Sequence, residues 1–370
     1  MEKGIGIINR NKFIKIAIFI IIFIIICSPI ISSTSTLQFQ IKDKTQQKKY
    51  TNNVLNPKIT EILDKINETL LQKYMRDLMD IGRRMTGTYG CNKAAKYIYA
   101  EFKKLNLNPK MDYWNAFGDN YHKGFYKSQN VEATHKGIDE TNDEILMFNA
   151  HYDTVRNAPG ANDDGSGTVA VLAAAYVLSQ YEFNRTIKFV AFSGEEEGLL
   201  GSRDYVKKIY SNDENIFLDI NADMIGRAVT AEGGRNMGIG ATEDSLWILN
   251  LIENISTEYG MNFYLRTYQI DRDADRGYSD YWGFVQYGYE SIACWGSSDG
   301  DPNYHSENDN YDNINFSYLV NTTRHIVGTL AYLADFENPN PQIKITNPKK
   351  GRLYYKDRIF LDFYMKKLWF

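Results

Sequence analysis

The sequence predicts a three-layer α/β fold, because short apolar runs alternate along the chain with segments of helical spacing. The runs at residues 144–149 and 186–193 end in polar clusters and are typical of buried central strands. A segment rich in alanine, valine and leucine follows the first run at 167–180, and a second segment follows the other run at 198–210; both indicate helices. The order strand, helix, strand, helix is that of a sheet covered by helices. Ligands of such sheets collect beyond the carboxyl ends of the strands.

The composition is that of a globular protein with enough chain for a substantial core. The chain has 370 residues, of which 43% are hydrophobic and 24% charged, with 27 glycines and 8 prolines. These values exclude collagen-like, wholly disordered and disulfide-scaffold classes. The formal net charge of −4 gives no basic excess, so no nucleic-acid partner is expected.

The N-terminal segment is predicted to direct the chain out of the cytoplasm. Residues 1–15 carry four basic side chains against one acidic one, and residues 16–31 form an uncharged block of mostly isoleucine and phenylalanine. Cleavage near the small polar run at 32–35 would make residues 1–35 a signal peptide. Retention would make the same segment a membrane anchor with its basic end inside. Both alternatives place the body outside the cell, secreted or anchored to the outer face of the plasma membrane.

The rest of the chain divides into a polar linker, a folded body and a short extension. Residues 36–56 form the linker, and residues 57–336 are expected to form the catalytic domain. The body begins with a predicted amphipathic helix over 57–81, followed by a second helix over 92–105. Residues 337–370 alternate like strands but cannot bury a core, which favours a truncated accessory module or a hairpin packed on the body. The sequence carries no signal for the oligomeric state.

The cysteines are too few and too scattered for a disulfide framework or a metal knuckle. The chain contains Cys27, Cys91 and Cys294. We expect Cys91 and Cys294 to be free buried thiols, and a disulfide between them is the alternative in an exported chain.

Polar clusters at the ends of the predicted strands carry the residue types of a metal site. His151 and Asp153 follow the first strand, where an imidazole can bind a metal through one nitrogen while a carboxylate holds the other. The small-residue loop 159–167 contains two adjacent aspartates, and three consecutive glutamates follow the next strand at 195–197. Each cluster alone could be a helix cap or a solvated turn. Consecutive carboxylates repel one another unless a cation lies among them.

Two further residues complete a nitrogen and oxygen ligand set that suits zinc. Asp223 closes an apolar run that begins at Ile216, and His305 lies in the polar loop 301–307. The remaining histidines are expected at the surface, and these are His122, His135 and His325.

Taken together, the ordered motifs resemble the di-zinc aminopeptidases, secreted or vacuolar exopeptidases related to glutamate carboxypeptidases and glutaminyl cyclases. The motifs are His151-Tyr152-Asp153, the loop Gly160-Ala161-Asn162-Asp163-Asp164-Gly165-Ser166-Gly167, the triple glutamate, Asp223 and His305. The resemblance covers about residues 59–335. It implies a three-layer α/β/α zinc-exopeptidase fold with a mixed, mostly parallel central sheet, and a cis peptide between Asp163 and Asp164.

The resemblance also implies a role for each site residue. Two zinc ions are implied, with Asp163 shared between them, and the implied metal ligands are His151, Asp163, Glu196, Asp223 and His305. Glu195 is implied as the general base and Asp153 as the residue that orients His151. A third glutamate, Glu197, makes a shift of one residue conceivable, but Gly198-Leu199 and Gly201-Ser202 follow at the family's distance.

The sequence departs from the family pattern late in the chain. Ser279 and Asp280 match a Ser-Asp-His motif, but the histidine is replaced by Tyr281. Tyr278 is the candidate that would hydrogen-bond the oxyanion, and a core or rim aromatic is the alternative interpretation.

The predicted function is therefore that of an exported zinc aminopeptidase, which hydrolyses N-terminal residues from peptides with water activated by two metals. One alternative is a glutaminyl-peptide cyclotransferase that uses one zinc. A carboxypeptidase specific for acidic C-termini would need arginines near the metals, for which Arg276 is the candidate. A non-enzymatic receptor or adhesin on the same fold would normally have lost ligands, and none is missing here.

Overall fold

The computed structural model describes residues 55–118, 122–261, 263–274 and 277–335. The predictions for the signal peptide or anchor, most of the linker, Cys27, Arg276 and the C-terminal extension fall outside these residues. Within the described part of the chain, no helix is both long enough and apolar enough to cross a membrane.

The described chain begins with helices α1 (Pro57–Lys65), α2 (Glu68–Met79) and α3 (Tyr89–Lys104). The prediction of one helix over 57–81 is wrong. Ile66 and Asn67 have extended backbone between α1 and α2, and the Asn67 side chain accepts a hydrogen bond from the Leu70 N–H as an N-cap. Apolar spacing could not reveal the break, because both helices bury an apolar face in the same core.

Eight strands of the described residues form one mixed sheet in the order β1-β2-β4-β3-β5-β8-β6-β7. The strands are β1 (Lys110–Phe117), β2 (Phe125–His135), β3 (Ile145–His151), β4 (Thr186–Phe192), β5 (Ile216–Asp223), β6 (Asn236–Ala241), β7 (Tyr264–Gln269) and β8 (Ser291–Trp295). Strands β4, β3, β5 and β8 run parallel to one another, as do β6 and β7. The pairs β1 with β2, β2 with β4, and β6 with β8 are antiparallel. The mixed, mostly parallel sheet is confirmed.

Helices cover both faces of this sheet, which confirms the three layers. The further helices are α4 (Gly165–Leu178), α5 (Leu200–Ser211), α6 (Leu246–Glu258), α7 (Tyr281–Gln286) and α8 (Phe316–Asp335). Successive residues of a strand point to opposite faces. In β3, Leu146 and Phe148 join the core with α1 to α4, α6 and α8, whereas Met147 joins a second core with α5 and α7. The central strands are therefore apolar on both sides.

Two of the remaining predictions are settled away from the sheet edge. Cys91 and Cys294 are free and buried, as expected. His325 is not at the surface: it is 1% exposed on α8, its Nδ1 lies 2.7 Å from the Asn321 carbonyl oxygen, and its Nε2 lies 2.9 Å from Ser256 Oγ. His135 is half-buried, and His122 is exposed.

Candidate metal centre

Asp163 lies between two histidines at the carboxyl edge of the sheet. Its Oδ1 is 3.3 Å from His151 Nε2, and its Oδ2 is 3.2 Å from His305 Nε2. His151 ends strand β3 and is fully buried, whereas His305 belongs to the loop after β8. Each oxygen of one carboxylate thus faces a different imidazole, which is the arrangement of a ligand shared by two metal ions.

The first group of ligands gathers around His151. The Nε2 atom of His151 lies 3.8 Å from Asp223 Oδ1 and 3.9 Å from Glu195 Oε2. Asp223 ends strand β5, which is the parallel neighbour of β3, so the two side chains emerge side by side. The ligand atoms of His151, Glu195 and Asp223 all lie within 4.8 Å of one another.

The second group gathers around His305. Glu196 Oε2 lies 3.2 Å from His305 Nε2. The other oxygen of Glu196, Oε1, accepts a hydrogen bond from the Val155 N–H at 3.1 Å, which leaves Oε2 directed at the histidine. The ligand atoms of His151, Asp163 and Glu196 also lie within 4.8 Å of one another. The structure therefore brings all five predicted ligands together, with Glu195 beside them.

The hydrogen bonding of the cluster leaves its ligand atoms available. Both ring nitrogens of His151, Asp163 Oδ2 and Asp223 Oδ1 are buried without a hydrogen-bond partner among the described residues. Buried polar atoms are normally paired, so the three of these atoms that face the cluster, His151 Nε2, Asp163 Oδ2 and Asp223 Oδ1, indicate a cation site. Imidazole nitrogen and carboxylate oxygen are the ligands of zinc, so the donor set fits that metal.

The electrostatics of the cluster lead to the same conclusion. Burial, together with the charge of Asp163, raises the pKa of Glu196 to about 7. Burial also raises the pKa of Glu195 well above its ordinary value, against the opposing effect of His151. Burial lowers the pKa of His305, but the contacts with Asp163 and Glu196 outweigh it and raise this pKa to about 10. Among the residues of this cluster, positive charge can come only from protonation of His151 and His305. A bound metal cation can supply that charge in place of the two protons.

Asp153 lies where an orienting residue would have to lie. It is fully buried, and its Oδ1 is 3.5 Å from His151 Nδ1, the nitrogen that faces away from the cluster. Its Oδ2 accepts hydrogen bonds from Thr86 Oγ1 at 2.9 Å and from the Glu196 N–H at 3.3 Å. One carboxylate therefore supports both His151 and the glutamate loop.

The third glutamate, Glu197, does not belong to either group of ligands. It is 3% exposed, and burial next to the charge of Asp153 raises its pKa to about 8. The structure thus places Glu195 and Glu196, rather than Glu196 and Glu197, at the metal groups.

The second aspartate of the small-residue loop has a structural role. The peptide bond between Asp163 and Asp164 is cis, as the resemblance implies. Asp164 Oδ1 accepts from the N–H groups of Gly167 at 2.8 Å and Met224 at 3.1 Å, so it caps α4 and ties the end of β5 to it. The alternative that an aspartate of this loop caps a helix is therefore right for Asp164, whereas Asp163 does not cap the helix.

Tyr278 and Tyr304 are the two candidates for the hydrogen bond to the oxyanion that the sequence assigned to Tyr278. Tyr278 is 72% exposed, and its backbone N–H donates to Tyr281 Oη at 3.3 Å. Tyr304 precedes His305, and its ring stacks on the imidazole with 3.7 Å between centroids. Burial and the carboxylates of the cluster, beginning with Asp163, raise the pKa of Tyr304. Tyr304 was missed from the sequence, although its position directly before a predicted ligand was a usable signal.

The substitution of Tyr281 for the family's histidine has a packing explanation. Tyr281 is 3% exposed and meets the ring of Trp295 edge to face, with 5.5 Å between centroids. It belongs to an apolar cluster with Trp282 and Val285 of α7. Position 281 therefore serves the core beside Asp223 in this chain.

The fold and the cluster together define an α/β/α protein with a candidate dinuclear metal centre at the carboxyl edge of its sheet. The chain belongs to Peptidase family M28, whose model matches residues 130–330. This range includes all five predicted ligands.

Curated relatives extend beyond the region that matches this chain. Aminopeptidase Y of Saccharomyces cerevisiae is 28% identical over 285 residues, which cover 70% of this chain and 50% of that protein. Leucine aminopeptidase 2 of Arthroderma otae is 30% identical over 247 residues, covering 60% of this chain and 47% of that protein. The chain spans about half the length of the curated relatives it matches.

Solved structures share the fold. BSAP, a zinc aminopeptidase from Bacillus subtilis, superposes with a TM-score of 0.64 at 19% identity, covering 73% of this chain and 96% of that one. The LapA aminopeptidase of Legionella pneumophila gives a TM-score of 0.64 at 21% identity, covering 81% of each chain. A glutaminyl cyclase from Fimbriiglobus ruber also superposes, with a TM-score of 0.60 at 17% identity over 72% of this chain and 95% of that one.

Proposed function

We propose that this chain is a zinc-dependent aminopeptidase that hydrolyses the N-terminal residue from peptides. The observation that carries the proposal is the position of Asp163, whose two oxygens lie 3.3 Å and 3.2 Å from the Nε2 atoms of two histidines. Membership of Peptidase family M28 and the names of the relatives, Aminopeptidase Y and leucine aminopeptidase 2, support the same reaction class.

The ligand groups suggest two zinc sites that share Asp163. His151 and Asp223 would complete one site, and Glu196 and His305 the other. When bound, zinc supplies positive charge that keeps the surrounding carboxyls ionised, polarises a carbonyl group and lowers the pKa of water.

Glu195 is the residue that we propose as the general base. Its Oε2 lies 3.9 Å from His151 Nε2, and its side chain is 13% exposed, so it is both close to the cluster and reachable from solvent. A carboxylate there can take a proton from the attacking water and pass it to the amine of the departing peptide. Glu196 cannot exchange roles with it, because Val155 and His305 engage both of its oxygens.

Tyr304 is the group that we propose as hydrogen-bond donor to the substrate carbonyl oxygen. Its ring stacks on the imidazole of His305. Its pKa is raised, so the hydroxyl stays protonated and can donate a hydrogen bond. A preorganised donor stabilises the negative charge that develops on that oxygen. The surplus of buried carboxylates at the cluster also suits a substrate that arrives with a protonated terminal amine.

The alternatives receive less support from the site. For a carboxypeptidase, the buried arginine near the cluster among the described residues is Arg84, and the predicted candidate Arg276 lies outside them. The carbonyl oxygens of Tyr152, Pro159 and Gly160 engage the donors of Arg84, so it cannot receive a substrate carboxylate. For a cyclase with one zinc, the glutaminyl cyclase neighbour shows only that the fold is shared.

The proposal is tested by zinc content together with substrate selectivity. Purified full-length protein should contain two zinc ions per chain by atomic absorption and hydrolyse peptides with a free N-terminus but not their N-acetylated forms. Cyclisation of an N-terminal glutamine by protein with one zinc would establish the cyclase instead. Cleavage of N-acetylated peptides from the C-terminal end would establish a carboxypeptidase.

We further propose that the protein is exported, which rests on the basic and apolar N-terminal sequence. Fusion of residues 1–40 to a reporter enzyme should carry the reporter out of the cytoplasm. A reporter that stays in the cytosolic fraction would contradict this.

A further inference from the structure

The segment that presents Asp163, residues 159–163, is held on one side by a buried arginine. We call this segment the Asp163 loop. Arg84 is fully buried and donates to the carbonyl oxygens of Pro159 and Gly160, each at 2.7 Å. Gly160 has a φ of +72°, and a Cβ there would lie 2.2 Å from Thr154 Cγ2 and 2.9 Å from Arg84 Nη2, so the loop needs a glycine to close on the guanidinium.

The same loop is held on its other side by a buried aspartate. Asp309 is 1% exposed, and its oxygens accept hydrogen bonds from the N–H groups of Asn162 at 2.7 Å and Asp163 at 3.0 Å. The backbone carbonyl of Asp309 accepts a third bond, from the Ala161 N–H at 3.2 Å. Hydrogen bonds to a carboxylate are about twice as strong as neutral ones, so Asp309 fixes three consecutive residues of the loop.

Asp309 also belongs to the loop that presents His305. Its N–H donates to the Ser306 carbonyl at 3.2 Å, so the backbone from 306 to 309 is one hydrogen-bonded turn. Asp309 therefore joins the two loops that carry the ligands Asp163 and His305. A side-chain hydrogen bond, from Asn162 Nδ2 to Asp301 Oδ2 at 2.7 Å, also links them.

The two zinc groups differ in how much they depend on that junction. His151 and Asp223 end neighbouring strands of the sheet, and hydrogen bonds of the sheet hold their backbones. His305 instead lies in a turn, with a left-handed φ of 55° and a side chain that is 38% exposed. The separation between His305 and Asp163 is thus set by contacts between loops.

We propose that Asp309 is a positioning residue that sets the zinc affinity of the group formed by Asp163, Glu196 and His305. The group formed by His151, Asp163 and Asp223 depends on it less, because the sheet holds two of its three members. This inference rests on the proposed function only in taking zinc as the metal. Residues that orient metal ligands typically contribute 10- to 100-fold in affinity.

The test compares two aspartates of one loop. Asp309→Asn keeps the size of the side chain but replaces one of its two acceptor oxygens with an NH₂ group. Only one of the N–H groups of Asn162 and Asp163 then has an acceptor, and the other N–H faces the NH₂. Asp312→Asn makes the same chemical change three residues later, at an exposed position of the turn Tyr311–Asn313. It serves as the matched control.

Zinc retained per chain is measured by atomic absorption after equilibration with a graded series of chelator concentrations. We expect Asp309→Asn to release one ion at a chelator concentration about 10- to 100-fold lower than wild type does. The chelator concentration that releases the other ion should change by less than about threefold. Asp312→Asn should follow wild type. Excess zinc should restore hydrolysis by Asp309→Asn, which would not occur if the variant were merely misfolded.

Four results would overturn the inference. The first two are wild-type retention of both ions by Asp309→Asn and equal weakening of both ions. The third is failure of excess zinc to restore activity when the metal-free variant unfolds at the wild-type temperature. The fourth is a metal-free variant that is already unfolded, because it would release both ions together. Metal release is read without a substrate, so a wild-type protein that hydrolyses no peptide would refute the proposed function and leave this comparison valid.

Discussion

Acidification should destabilise this protein through a histidine far from the metal centre. His325 is 1% exposed on α8, where it packs on the ring of Phe263 with 4.9 Å between centroids. Burial lowers its pKa from 6.5 to about 4, against the hydrogen bond to Asn321. The folded state therefore binds this proton only at a pH well below that at which the unfolded state does.

The sign and size of the effect follow from that difference. Between pH 6.5 and pH 4 the unfolded chain holds a proton that the folded chain lacks, so stability falls as the pH falls through this window. The full difference is worth about 3 kcal/mol, because each pKa unit corresponds to about 1.4 kcal/mol. Between pH 7 and pH 5 the loss from His325 alone is about 2 kcal/mol.

Urea unfolding in the presence of EDTA measures this loss without the contribution of metal release. Wild type and His325→Gln are compared at pH 7 and pH 5, because the other titrating groups are common to both proteins. From pH 7 to pH 5 the free energy of unfolding should fall in both proteins. We expect the fall in His325→Gln to be smaller than the fall in wild type by about 2 kcal/mol. Equal losses in the two proteins would refute the buried neutral state of His325.

The remaining predictions concern the metal centre. Glu195→Gln should lower kcat by about 10²- to 10⁴-fold with unchanged zinc content, and activity near wild type would remove Glu195 as the base. Asp153→Ala should weaken zinc binding about 10- to 100-fold in a chelator titration, since His151 loses the group beside its Nδ1; unaltered retention would contradict the orienting role. Tyr304→Phe should lower kcat by about 10²- to 10³-fold with little change in KM. A loss of kcat in Tyr278→Phe but not in Tyr304→Phe would instead assign the hydrogen bond to the oxyanion to Tyr278.

The clustering of the candidate metal ligands could be predicted from the sequence because their positions follow from a simple rule of sheet geometry. Apolar runs end at the same edge of a parallel sheet, so polar residues directly after them must meet there. His151 and Asp223 illustrate this, since each is the last residue of its strand. His305 lies within the loop after β8 and not at the end of that strand, and its role as a ligand is implied by the family resemblance.

Other parts of the fold lacked a local signal. Strand β6, Asn236–Ala241, contains two glycines, and β7, Tyr264–Gln269, is mostly exposed, so neither has the apolar character of a buried strand. The surface position predicted for His325 failed because one polar residue on a helix does not reveal which face is buried.

The residues that support the ligands could not be predicted for a different reason. Arg84 and Asp309 act on backbone groups of a loop that is distant in sequence, so no spacing or motif links them to Asp163. Only the folded chain shows which N–H and carbonyl groups they meet.

X-ray diffraction at the zinc absorption edge tests the central claim most directly. The account predicts two anomalous peaks per chain, one beside His151 and Asp223 and the other beside Glu196 and His305, with Asp163 in contact with both. A single peak, or two peaks without Asp163 between them, would contradict the shared-ligand centre on which the proposed function rests.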